Sequence, residues 1–398
     1  MVREGMKEHG PSFALILATK RFYYLDSTAP EVQPIMDDFW KKTDFRASVR
    51  RVLDLDLFMP DAEITSKQAY AVHMLRTSFN ASLGEVSETV ARVMRTHVEA
   101  TIAASPILQD PKDFAYTLVA HSSATCFLGP DVAAIPEVID IFKSLFVTFQ
   151  QPSLLRLILP DWTMKYLRPF LPFKRHHQRL ARLVGPTLMK RVDNPDVGQE
   201  DGISHILKKT TNIDELTNVI MVLVLASMIT TAGALHNTLY DLADHPECVD
   251  KIRAEMKESE LEEGELFTRK QFGKMPFLDA FVRESLIHSM PVGLPGRYIA
   301  EPFRVSSTTV IPKDSVCFVI GVDAHPLDKN PDGSNVFNPS RWLPTSESEQ
   351  QKYSTTTGPD FIVFGGGPYK CPGRFFAVLE IKSVICSILQ KYNIFLSQ

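Results

Sequence analysis

Hydrophobic positions recur at helical spacing over most of this chain and at strand spacing over little of it. Val86, Val90, Val93, Met94 and Ile102 mark one face of an amphipathic helix over residues 85–104. From Leu216 to Tyr240 there is no Asp, Glu, Lys or Arg, and residues 219–229 are almost wholly apolar. Asn212, with Glu215 three residues later, has the form of a capping box, so a long helix is expected to start there and to end before Pro246. Further helices are expected over residues 30–41 and from Pro276 to a stop at Pro291. Short strands are expected at residues 12–17, 21–25, 297–305 and 316–320, where apolar and aromatic residues are dense. Residues 142–173 are apolar but broken by Pro152, Pro160, Pro169 and Pro172, which reads as a core connector. The pattern predicts a mainly α protein with small β-sheets.

The uncharged 216–240 stretch is long enough to span a bilayer. Thr230, Thr231, His236, Asn237 and Thr238 crowd its second half, so a helix through a soluble core is the expectation. The chain opens on Met1-Val2-Arg3-Glu4-Gly5-Met6-Lys7-Glu8, which has neither the apolar core of a signal peptide nor a membrane anchor. No Gly/Ser linker, repeat or low-complexity tract divides the 398 residues, and a single domain over 1–398 is expected. A formal net charge of −4 without a long basic run argues against a nucleic-acid partner. Five unevenly spaced cysteines form no CxxC pair and no disulfide framework, which points to a reducing, intracellular compartment.

Candidate chemistry concentrates near the C-terminal end, in Phe364-Gly365-Gly366-Gly367-Pro368-Tyr369-Lys370-Cys371-Pro372-Gly373-Arg374. The glycines allow a tight turn and close approach to a flat cofactor. Backbone N–H groups around the turn and at the start of the next helix are expected to lower the Cys371 thiol's pKa and hold its anion. Such a thiolate suits a metal. Cys126, Cys248, Cys317 and Cys386 read as buried free cysteines.

Phe364, Gly367, Tyr369, Cys371 and Gly373 at this spacing resemble the haem-binding signature of the cytochrome P-450 haem-thiolate monooxygenases. The one departure is Tyr369, where the family has Arg or His beside a haem propionate. The resemblance implies a helix-rich triangular prism, haem b, and Cys371 as the axial ligand of its iron. It places Ala226-Ser227-Met228-Ile229-Thr230-Thr231 above the haem, with Thr230 and Thr231 as candidate catalytic hydroxyls in a proton path. Ile229 stands where the family has an acid, and Ser227 where it has glycine. Arg297 and Arg76 are candidate propionate partners by guanidinium–carboxylate geometry, and Val292, Gly293 and Leu294 candidate pocket lining. Glu284 matches the first residue of the family's Glu-x-x-Arg, but Ile287 replaces its arginine; Arg341 matches the second arginine element, and His288 is a substitute partner for Glu284 if protonated. Lys370, Arg374 and Lys382 form a candidate basic patch for an acidic electron donor.

The implied activity is oxidation of an apolar small molecule, on the likeness to fungal members a secondary metabolite such as a terpenoid. The implied partners are dioxygen and an NADPH–cytochrome reductase, with residues 142–173 in the place of a substrate entrance and peripheral membrane contact. The chain is expected to be a monomer, cytosolic or peripheral at the endoplasmic reticulum. Two alternatives stay open: a haem-thiolate peroxygenase or isomerase, because Ile229 is no acid, and a degenerate relative without catalysis.

Overall fold

The computed structural model describes residues 2–17, 20–52, 71–145, 159, 163, 166, 173–193, 202–207, 210–259, 261, 264–289, 292–321, 336–346 and 348–396. Helices dominate them: α1 (Val2–His9), α2 (Met36–Lys42), α3 (Phe45–Val52), α4 (Leu83–Ala104), α5 (Pro111–Leu128), α6 (Phe173–Asp193), α7 (Ile213–Asp244), α8 (Pro246–Glu258), α9 (Pro276–Ser289) and α10 (Arg374–Leu389). The strands are β1 (Ser12–Leu17), β2 (Lys20–Asp26), β3 (Val292–Ile299), β4 (Phe303–Arg304), β5 (Val310–Ile311) and β6 (Ser315–Ile320). They form one four-stranded sheet in the order β1-β2-β6-β3 and a β4-β5 pair. The mainly α expectation with small sheets holds.

The long uncharged segment is the central helix. Asn212 caps α7 by accepting the Glu215 amide at 3.1 Å. The expected capping box forms differently, however: the Glu215 carboxylate accepts from the Thr210 hydroxyl at 2.7 Å, and the Asn212 amide donates to the same hydroxyl at 3.2 Å. Pro246 then opens α8 at a position where its missing N–H is not needed. By length and composition α7 alone among the described helices is apolar enough to cross a membrane, with a mean hydropathy of 2.0 over its most apolar window. In that window 67% of the residues are buried inside the protein, as in a core helix. It packs along α5 and also on α10, the helix that follows Cys371.

Two expected boundaries shifted. Pro34 offers no amide, so the chain enters α2 through a 3₁₀ turn over Gln33–Ile35 and the helix begins at Met36. The strand expected over 297–305 is two strands, with Pro302 between them. Most of 142–173, the candidate entrance, lies outside the described residues.

The sheet joins distant parts of the chain. β2 runs parallel to β6, 293 residues on at the Ser27–Ile320 hydrogen bond, and β3 pairs antiparallel with β6 on its other side. The β3 register shifts between Gly293 and Arg297. Gly296 sits in this irregularity at φ +84, and a Cβ there would meet the Cys317 carbonyl oxygen and the Phe318 ring at 3.0 Å. The shift sets where Arg297 leaves the sheet.

Candidate haem-thiolate site

The cysteine loop is closed by main-chain bonds. The Cys371 amide donates to the Phe364 carbonyl at 2.8 Å, and the Gly365 amide to that of Ile362 at 2.7 Å. Gly367 turns at φ +59, and a Cβ on Gly366 or Gly367 would stand 2.5 Å from Trp40 of α2. The glycines are therefore required twice, for the turn and for the indole packed on it. The amides of Gly373 and Arg374 stand by the Cys371 sulfur and favour its anion. The expected depressed thiol is not what results: loss of solvation pushes Cys371 above its ordinary pKa, more than those amides and the Arg374 charge pull it down. The free side chain is a neutral thiol, and a bound cation would be needed to hold it as thiolate.

On α7 the two threonines part company. Thr230 is exposed and donates to the Ala226 carbonyl at 2.7 Å, the i−4 bond open to a helix hydroxyl. Thr231 points into the core, 4% exposed. The helix runs through both without a break. Ala226 and Thr230 are exposed in the middle of a mostly buried stretch of the helix, and a Cβ on Gly233 would meet nothing within 4 Å. This open stripe of small residues is the surface a flat group can lie against. Ser227, on the neighbouring face, pairs with Ser123 of α5 at 2.7 Å. Ile229 packs against the apolar core.

Arg297 is 3% exposed. Its Nε donates to Thr43 Oγ1 at 2.9 Å, and its Nη2 to the carbonyls of Thr43 and Trp40 at 2.7 and 3.0 Å. Its guanidinium lies 4.5 Å from the Tyr369 ring centre, with Trp40 and Phe45 rings at 5.4 and 5.8 Å. Burial lowers it to about 10, so it remains a cation. The geometry accounts for Tyr369: a second guanidinium there would face the first, whereas a phenol ring attracts it.

Arg76 reaches the loop separately, donating to the Pro368 carbonyl at 2.8 Å from an exposed position. With Asn80, Lys370, Arg374 and Phe375 it lines a cavity of about 320 Å³. The basic cluster is thus Arg76, Lys370 and Arg374. Lys382, expected in it, is buried instead and donates to Asp279 of α9. Phe364 meets Phe361 edge-on at 6.0 Å. The side chains of Val292 and Leu294 lie outside the described residues.

Glu284 is fully buried and has found partners in place of the arginine that Ile287 cannot supply. Trp342 Nε1 donates to it at 2.7 Å, the Asn338 amide at 2.8 Å, and Arg341 Nη2 pairs at 3.1 Å. His288 Nε2 stands 3.3 Å away, close enough for an ion pair when protonated but not aligned as a hydrogen bond. Removing the carboxylate in Glu284→Ala takes from half-buried Arg341 its counter-charge and from the Trp342 indole and the Asn338 amide the acceptor they share, with an expected loss of about 3–5 kcal/mol in urea unfolding. An unchanged urea midpoint would show that the pairings are idle. Two further buried polar residues, Arg283 and Glu380, escaped the sequence reading. Their only signal is an ionisable residue inside an apolar run, Phe281-Val282-Arg283 and Val378-Leu379-Glu380-Ile381.

Residues 3–398 match the family model described as Cytochrome P-450. A cytochrome P-450 monooxygenase of Penicillium canescens, olcJ, is 28% identical over 81% of this chain and 64% of its own length. Another, CYP2 of Pyricularia oryzae, is 30% identical over 69% of this chain and 64% of its own length. A third, ptmU of Penicillium ochrochloron, is 25% identical over 99% of this chain and 81% of its own. The chain thus spans less than two thirds of the first two. Among solved structures, the retinoic-acid-bound cyanobacterial CYP120A1 superposes with a TM-score of 0.70 at 20% identity, over 98% of this chain and 86% of that one. With the closed cysteine loop, the open stripe on α7 and a family match over nearly its whole length, the chain belongs to the cytochrome P-450 family.

Proposed function

We propose that this protein is a haem-thiolate monooxygenase that oxidises an apolar small molecule with dioxygen and electrons from an NADPH-dependent reductase. The observation that carries the reading is Cys371, on a glycine turn closed by its own amide on the Phe364 carbonyl. The family and the fold imply a haem-thiolate cofactor, dioxygen and a redox partner. The residues fit that group: Cys371 as iron ligand, the Ala226–Thr230–Gly233 stripe as a flat wall, and Arg297 and Arg76 as cations for its carboxylates. When bound, haem supplies dioxygen binding and reductive activation.

The chain's own residues do the rest. The Gly373 and Arg374 amides stabilise charge on sulfur. Thr230 has spent its one proton on Ala226, so its oxygen is an acceptor for a water in the stripe; it becomes a donor only by rotating away. Ile229 offers no proton. Thr231 is buried and turned away from the open stripe. In Thr230→Ala, peroxide released per product is expected to rise on the order of tenfold, measured as hydrogen peroxide against product; equal coupling removes Thr230 from the proton path. Lys370 and Arg374 form the face on which an acidic electron donor would dock. The likeness to fungal members supports a secondary metabolite, such as a terpenoid, as substrate.

Ile229 also favours a second reading, in which peroxide replaces dioxygen and reductase. Turnover with NADPH, reductase and dioxygen is compared with turnover on peroxide alone. Product from the first establishes the monooxygenase; product from peroxide only overturns it.

A further inference from the structure

We infer that Arg283 is the positioning residue that ties the cysteine loop to α9, in place of the arginine absent at position 287; this rests on the haem-thiolate reading above. Arg283 is 1% exposed. Its Nη1 donates to the carbonyls of Tyr353 and Thr356 at 2.7 and 2.9 Å, and its Nη2 is 3.7 Å from Asp360 Oδ2. Its guanidinium lies 4.0 Å from the Phe361 ring centre and 4.4 Å from that of Trp342. A planar cation held by two carbonyls, a carboxylate and two ring faces has one place to be. Burial brings it down to about 10, opposed by Asp360, Asp279 and Glu284, so it stays charged at neutral pH.

All these partners except Trp342 lie on residues 353–361, the segment leading into the cysteine loop. Contact continues from there to the sulfur-bearing residue: Phe361 meets Phe364, and the Phe364 carbonyl accepts the Cys371 amide. Arg374 grips the same segment from α10, with Nε on the Thr355 carbonyl at 3.1 Å and Nη1 on the Cys371 carbonyl at 2.7 Å. Asp279, a turn earlier on α9, takes the Ser354 amide and hydroxyl and anchors where the segment begins. Arg283 holds its middle and, through Phe361, its end. Glu284 bonds elsewhere, to residues 338–342. Ile287 is buried in the apolar core and donates nothing. Positions 283 and 287 are one helical turn apart on one face, so a guanidinium from either can address the same segment.

The test uses the haem-loaded full chain. Arg283→Met and Arg283→Lys are compared with Arg253→Met, whose arginine also binds two carbonyls, of Leu389 and Tyr392, at the far end of α10. Three quantities are read: haem transfer to apomyoglobin, the thiolate fraction of the reduced carbon-monoxide adduct, and the urea midpoint. Arg283→Met is expected to lose haem about tenfold faster than wild type and to lose thiolate signature, whereas Arg253→Met lowers the urea midpoint alone. Arg283→Lys, with one reachable carbonyl, falls between, and Ile287→Arg added to Arg283→Met restores haem retention. Should Arg283→Met hold haem as Arg253→Met does at a matched urea midpoint, Arg283 is packing only and the inference is overturned. If Arg283→Met cannot be loaded, Arg283→Lys and the Ile287→Arg rescue decide. A wild-type chain with no thiolate signature overturns the haem-thiolate reading itself, and the role of Arg283 falls with it.

Discussion

Replacing Cys371 by alanine is expected to abolish the thiolate signature of the reduced carbon-monoxide adduct and all reductase-driven turnover, while leaving a folded chain. The loop around position 371 is held by the backbone: the residue's amide donates to Phe364 and its carbonyl accepts from Arg374. Alanine keeps both bonds and removes only the sulfur. No other described cysteine can stand in. Cys126, Cys248, Cys317 and Cys386 are all buried. Loss of solvation pushes Cys248 up to about 12 and raises Cys317 and Cys386 as well, and none of the four stands on the closed glycine turn that presents Cys371. The absorption maximum of the purified variant, with its haem content, checks the expectation. A thiolate signature surviving in Cys371→Ala would sink the assignment of the ligand.

Glu380 carries the largest expected effect on stability. It lies in α10, fully buried, and neither carboxyl oxygen has a hydrogen-bond partner of good geometry. Ser122 of α5 is near enough to lower its pKa a little, but burial dominates and raises it from 4.5 to about 8. The acid is therefore neutral in the folded protein and ionised in the unfolded one at pH 7. The folded state binds the extra proton, so the stabilising contribution is complete below about pH 4.5 and is lost as pH rises to about 8. Across that window it amounts to about 5 kcal/mol, at 1.36 kcal/mol for each factor of ten in proton affinity. Glu380→Gln keeps the shape, removes the charge, and is expected to flatten the pH dependence. Urea unfolding at pH 5 and pH 8.5 should show the variant gaining on wild type by several kcal/mol at the higher pH. Parallel pH profiles for the two proteins would refute the neutral buried acid. Asp241 and Glu255 are also raised by burial and slope in the same direction, so the difference between variant and wild type is the quantity that isolates Glu380.

Much of the site was readable because its chemistry is local. The cysteine loop is a turn followed by a helix start, and every residue that closes it lies within ten positions of Cys371. The uncharged run of α7 likewise announced a buried helix, and Asn212 its start. The failures are of another kind. Lys370, Arg374 and Lys382 looked alike as cations near a cysteine, yet α10 turns Lys382 inward onto Asp279. Backbone N–H groups promised a depressed thiol, but the solvation lost by burying the sulfur outweighs them. Thr230 and Thr231, adjacent in sequence, are about 100° apart on a helix and face different surroundings.

Spacing and residue type, taken alone, determined the class of fold, the glycine-rich turn that presents Cys371 and the start of the long buried helix α7, since each depends on neighbours a turn or two away. Only three-dimensional packing decided that Tyr369 faces Arg297, that Trp40 lies on Gly366 and Gly367, and that Arg283 grips residues 353–361. Those partners come from distant parts of the chain, and their energies depend on burial, which no short stretch of sequence encodes. A cation, an acid or a ring is an unspecified resource until the fold sets what surrounds it.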